Sequence, residues 1–316
     1  MSDQDKPAPA NWERSVLEKL ALSAIQEQRR SRHWSILFKT LGFLYLFIVL
    51  FLAAGWFGSD GVSIKEHTAL VDLQGVIASD QASADSVIGS LQGAFEDKKT
   101  KGVILRINSP GGSPVQAGQI YDEIRRLRAL HPKIPLYAVV DDICASGGYY
   151  VAVGADKIFV DKASIVGSIG VLMDGFGFTQ TMQKLGVERR LLTAGENKGF
   201  LDPFSPVDPK QAAFAKQMLE EIHGQFIGVV REGRGKRLQE TPEMFSGLVW
   251  SGEKSIQLGL ADALGNVESV ARDVIKAEDI VDYTQREGLA ARLASRLGAS
   301  VGKALMPFEQ AGVRLR

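Results

Sequence analysis

The chain has 316 residues, 45% of them hydrophobic, with 37 Lys and Arg set against 37 Asp and Glu. Zero formal charge lacks the basic excess of a nucleic-acid binder, so no nucleic-acid partner is expected. The single cysteine, Cys144, excludes an intramolecular disulfide and a thiolate zinc cluster. The four histidines show no metal-ligand spacing, so neither a metal nor a cofactor is expected.

Residues 1–34 are a polar leader. Val16 and Leu20 recur at helical spacing in it, which predicts a short amphipathic helix. Residues 35–57 read as a transmembrane anchor. Thr40 to Phe57, TLGFLYLFIVLFLAAGWF, carries no charge, and Lys39 near its start can snorkel to the headgroups. The stretch lacks the polar stripe of a core helix and approaches the length needed to cross a ~30 Å hydrocarbon layer. Arg29, Arg30 and Arg32 precede it and GSDG follows. The positive-inside rule then puts the N-terminus in the cytoplasm and the remainder outside. A cleaved signal peptide is the alternative, but its apolar region is shorter and so long a polar leader is unusual.

Residues 58–285 form the expected extracytoplasmic domain. TALVDLQGVI, KGVILRINSPGG, IPLYAVVDDICAS and KIFVDKASIVGSIGV read as strands, and DSVIGSLQGAFED and VQAGQIYDEIRRLRAL as helices. Strand and helix in alternation predict an α/β fold with a mainly parallel sheet. A long helical pattern follows from about Pro209 to Arg237. The tail, 286–316, spaces Leu289, Leu293, Leu297, Val301 and Leu305 four apart, as an amphipathic segment would.

Ligand sites in parallel sheets gather at the carboxyl ends of strands, and two glycine turns sit there. One is NSPGG, Asn108 to Gly112; the other is ASGG, Ala145 to Gly148. Ser146 precedes an apparent helix start, so it reads as an N-cap or as a nucleophile. The ASGG turn alone favours the cap. With the second turn nearby, one N–H from each could form an oxyanion hole. The hydrolase pattern G-x-S-x-G fails, because Cys144 stands two residues before the serine. His131 and His223 lie in no turn-like context. Lys198, between glycines and phenylalanines in LLTAGENKGFLDPFSP, is a candidate base or a solvated loop lysine. Lysine normally titrates near ~10.4, so a lysine base needs an environment shielded from water. Cys144 reads as a packing residue; the Tyr149–Tyr150 pair could line a substrate pocket, but helix packing is the better reading.

Together GVILRINSPGGSP, ASGGYYVAVGADKIFV, IVGSIGV, TAGENKGFLDPFSP and GLVWSGEKSIQLGLADALG resemble the signal peptide peptidase A family. The resemblance spans about Lys101 to Gly265. It implies a serine endopeptidase of the ClpP/crotonase fold, in the short single-domain bacterial form. It further implies Ser146 as nucleophile, Lys198 as general base and Ser168 as the serine that orients the lysine. Gly111 or Gly112, with Gly147, would supply the oxyanion hole. Implied partners are remnant signal peptides, membrane lipid around the anchor, and further copies of the chain in a ring, an octamer in the short form, with the lysine crossing between subunits. The implied location is the bacterial inner membrane with the catalytic domain periplasmic. Two rival readings remain: a crotonase-fold acyl hydrolase, and a non-enzymatic peptide-binding scaffold.

Overall fold

Parallel strands are buried on both faces, so they need apolar residues at nearly every position. That rule explains the centre of this computed structural model, which describes residues 11–53 and 65–285. The amphipathic tail expected at 286–316, residues 1–10 of the leader and residues 54–57 of the anchor lie outside the described residues.

The first unit is one helix, α1 (Asn11–Ala53). The leader does not form a separate short helix. It runs without a break into the apolar stretch, because neither proline nor glycine interrupts Asn11 to Leu41. Within α1, Gln26–Phe51 is long and apolar enough to cross a membrane.

The second unit alternates strand and helix. Its elements begin with β1 (His67–Gln74), α2 (Ala84–Glu96), β2 (Thr100–Ser109), α3 (Pro114–Leu130), β3 (Leu136–Ala145) and α4 (Gly147–Ala152). They continue with β4 (Lys157–Val160), β5 (Ile165–Gly167), α5 (Thr179–Lys184), α6 (Pro209–Arg234), β6 (Val249–Ser251), α7 (Gly252–Gln257), β7 (Ala263–Leu264) and β8 (Ile280–Asp282). One sheet runs β6-β5-β3-β2-β1-β8, and β4 joins β3 to β7. Every pairing is parallel except β5 with β6. The sequence-based expectation of a mainly parallel α/β sheet therefore holds.

Successive strand residues point to opposite faces. Ala69, Val71 and Leu73 enter the larger core with Val103, Leu105 and Ile107, while Leu70, Ile104 and Val139 pack on the other side with Phe159 and Val270. Helix α3 covers the larger core with Ala117, Ile120, Ile124 and Leu127, spaced for one helical face. Ser113 caps it by accepting from Gln116 N–H, and Pro114 occupies the first turn, where its missing N–H costs nothing. Fully burying each large aliphatic side chain contributes about 1.5–3 kcal/mol.

A buried ion pair fixes the back of this layer. Arg234 is 1% exposed; it donates to Gly259 O (2.7 Å) and to Asp262 Oδ2 (2.8 Å). Asp262 also accepts from Ile158 N–H in β4 (2.7 Å), and two residues earlier Leu260 O accepts from Tyr149 Oη in α4 (2.8 Å). The helix that follows Ser146 is thus tied to this pair. Burial pushes the Asp262 carboxyl up, but the bonds and charges of Arg234, the Ile158 N–H and Arg237 more than offset it and leave it below the ordinary carboxylate range. Its folded value lies below the unfolded one. The pair's contribution is therefore present above pH ~4 and fades as pH falls through the folded value. Asp262→Asn strands the buried guanidinium and should cost about 3 kcal/mol in chemical denaturation at neutral pH. An unchanged midpoint would show that Arg234 finds a substitute partner.

Candidate active site

The two glycine corners meet because β2 and β3 are neighbours in parallel register, with Ser109 opposite Cys144. Each chain then turns at the same end of the sheet. Ser146 stands at the turn into α4 with φ 50° and ψ −122°, and its side chain makes no capping bond. A serine with positive φ is uncommon, and such strain costs about 1–3 kcal/mol. The N-cap reading of Ser146 therefore fails: its hydroxyl is held off the helix end. Its backbone N–H instead donates to Gly167 O (2.9 Å), just before Ser168, which also has positive φ (51°) and donates its N–H to Leu248 O (2.7 Å).

The opposite corner is held by the loop after β1. Ile77 N–H donates to Gly111 O (2.8 Å), and Ser113 N–H donates back to Ile77 O (2.8 Å). In a trans peptide the C=O and the next N–H point in opposite directions. With Gly111 O turned toward Ile77, Gly112 N–H must face the other way. On that side lies Gly147: the position a Cβ would take there is 3.3 Å from Gly112 N. Gly112 N–H donates to no group among the described residues, and Gly147 N–H, in the first helical turn, has no intrahelical acceptor. Among the described residues the amides of Gly112 and Gly147 are thus free beside Ser146. Gly111 differs, because its N–H donates to Ser109 Oγ (3.2 Å). What Gly111 supplies is closeness: a Cβ there would lie 2.7 Å from both Gly147 N and Ser146 Cβ.

These groups line a cavity of about 580 Å³. Its wall holds Gly112, Ser146, Gly147 and Ser168, together with Pro114, Ala117, Tyr150, Leu172, Ile222, Gln225 and Phe226. No lining residue carries a charge. Burial pushes the Tyr150 phenol up, so it stays protonated at neutral pH. The wall can hold an apolar chain and offer donors to a developing oxyanion, but by itself it has no general base. Tyr150 belongs to this wall and also packs on the core against Tyr121 and Phe226; Tyr149 and Cys144 are buried as expected. The α6 residues Ile222, Gln225 and Phe226 were missed. Their spacing marks one helix face, but nothing local in sequence says what that face covers.

Lys198 is not on the cavity wall. It lies exposed in a turn, its N–H donating to Gly195 O (3.1 Å). From Val171 to Phe214 no residue is buried. This arm is nonetheless ordered within itself: Phe178 stacks on Phe204 (5.5 Å between ring centroids), and Phe178 N–H donates to Pro203 O (2.7 Å). It exposes large apolar side chains, Leu192 at 96% and Phe176 at 80%.

Known proteins match this chain over the same region. The family model described as Peptidase family S49 matches residues 128–281, which include Ser146, Ser168 and Lys198. A Na(+)/H(+) antiporter NhaA of Brucella melitensis is 47% identical over 190 residues, 60% of this chain. The chain spans 26% of that relative's length. A predicted signal peptide peptidase of Enterococcus faecium is 29% identical over 234 residues, 71% of this chain and 67% of its own. A predicted protease of Synechocystis is 32% identical over 206 residues, covering 65% of this chain and 72% of that protein. A strained serine at a strand end, the free amides beside it and these matches lead to one conclusion: the chain belongs to peptidase family S49 and is a serine peptidase.

Proposed function

We propose that this peptidase is a membrane-anchored endopeptidase that cleaves remnant signal peptides with a Ser146/Lys198 dyad assembled between copies of the chain. The observation that carries the reading is the mismatch at the site. The cavity holds a poised hydroxyl and two free amides but no charge, while Lys198 sits on an exposed arm of the same chain that bears uncovered leucines and phenylalanines. A second copy that covers the arm would bury its leucines and phenylalanines and bring Lys198 to the neighbouring cavity. Apolar surface on this scale usually marks an interface, and a ring, octameric as in the short form, repeats that contact at every subunit.

In the reaction, the neutral Nζ of Lys198 takes the Ser146 proton, and Oγ attacks the peptide carbonyl. An amine seated in an uncharged cavity favours its neutral form. The oxyanion rests on the N–H groups of Gly112 and Gly147, of the type whose removal costs about 10²–10³ in kcat. Gly111 supports Gly112 by close approach. Ser168 orients Nζ. Lys198 then protonates the leaving amine, and water hydrolyses the ester.

The apolar wall and the apolar helix Gln26–Phe51 suit substrates that lie in a membrane. The resemblance to the Enterococcus faecium relative, described as a signal peptide peptidase, supports that substrate class. In this reading residues 35–57 anchor the chain, 1–34 face the cytoplasm and 58–285 act on the outer side of the bacterial inner membrane.

Two outcomes test the reading. Ser146→Ala and Lys198→Ala chains are each expected to be inactive toward an apolar peptide. Co-expressed with different tags and purified through both, they should regain hydrolysis, because a mixed particle pairs an intact Ser146 with an intact Lys198. A mixed particle with no activity rules out a dyad shared between chains. Leu192→Glu, in detergent, should release monomers by sedimentation and lose hydrolysis together; an active monomer contradicts the proposal.

A further inference from the structure

Ser109 has no role in the reading above, yet it touches both glycine corners. It ends β2, is fully buried, and its Oγ donates to Gly75 O (2.7 Å) while accepting from Gly111 N–H (3.2 Å). It also lies against α4: a Cβ at Gly148 would stand 2.9 Å from Ser109 O and 3.3 Å from Ser109 Cβ.

Gly111 must be glycine, because its Cα approaches Ser146 and Gly147 too closely for a side chain, and its φ is +103°. The same lack of a side chain leaves its backbone free to rotate. Something else must fix it. The peptide plane after Gly111 is held by Ile77 N–H through Gly111 O. The plane before it is held by Ser109 Oγ through Gly111 N–H. With both planes pinned, the direction of Gly112 N–H is set. If the hydroxyl is removed, one plane is released and a buried N–H is left without a partner.

We infer that Ser109 is a positioning residue for the oxyanion amide, its Oγ clamping Gly111 between Gly75 O and the Ser146 corner so that Gly112 N–H stays aimed at the reacting carbonyl. This inference rests on the proposed roles of Ser146 and Gly112. A pinned amide matters most when negative charge develops on the carbonyl oxygen. The loss therefore falls on the transition state and leaves ground-state binding alone.

The test uses the full-length protein in detergent, an apolar peptide substrate and a peptide boronate that becomes tetrahedral on serine. Ser109→Ala should lower kcat roughly 10- to 100-fold with KM within about twofold, and weaken the boronate by a similar factor. Ser109→Cys keeps a weak donor and acceptor and should recover part of the loss. Because Ser109 is buried, the alanine variant can fail to fold; the comparison of kcat with boronate affinity is then made on Ser109→Cys alone. Wild-type kcat in the variant that folds overturns the inference. So does a loss of kcat with unchanged boronate affinity, which is what a merely structural role gives. A fluorophosphonate separates the two levels of the argument. If wild-type protein hydrolyses peptide without labelling at Ser146, the parent reading fails. If it labels there and the Ser109 variants behave as wild type, only this inference fails.

Discussion

The site depends on one constraint, the parallel register that sets Ser109 of β2 opposite Cys144 of β3. Both strands end there, and both continue as tight turns at the same edge. A shift of one residue would point Ser146 to the other face of the sheet and part the two corners. The register is maintained from below by strands buried on both faces, and from behind by Arg234 and Asp262, which tie α6, β4 and the segment after α7 together. Above it, the Ile77–Gly111 bond converts strand order into amide direction. Core packing, an ion pair and one backbone bond thus converge on the geometry beside a single hydroxyl.

Strain is the cost of that geometry. Ser146 and Ser168 both hold positive φ, and each donates its N–H to a neighbouring backbone carbonyl. A residue in this conformation persists only where its surroundings determine it. The two serines therefore belong to one strained unit spanning β3, β5 and the loop before β6. The same unit opens on a wall without charge, so in the proposed dyad the base reaches it from outside this wall.

Much of the domain was legible in the sequence because its signals are local. Apolar runs ended by glycine marked the strands, and helical spacing from Val115 marked α3. The two glycine turns were recognisable as strand ends, and the chain's family followed from motifs around them. Three features were not legible. The leader merges with the membrane helix, because amphipathic spacing carries no stop signal of its own. The cavity wall from α6 depends on tertiary packing, which periodicity does not report. The different duties of Gly111 and Gly112 depend on which carbonyl Ile77 meets, a contact 34 residues away in sequence.

The central claim is that the amine at 198 serves a hydroxyl on another chain. Its most direct test is cysteine crosslinking of two differently tagged full-length chains, one carrying Ser146→Cys and the other Lys198→Cys, under mild oxidation. The account predicts a disulfide-linked dimer that carries both tags and disappears on reduction. With both substitutions in one chain, a disulfide that closes within the monomer and never between chains would contradict it.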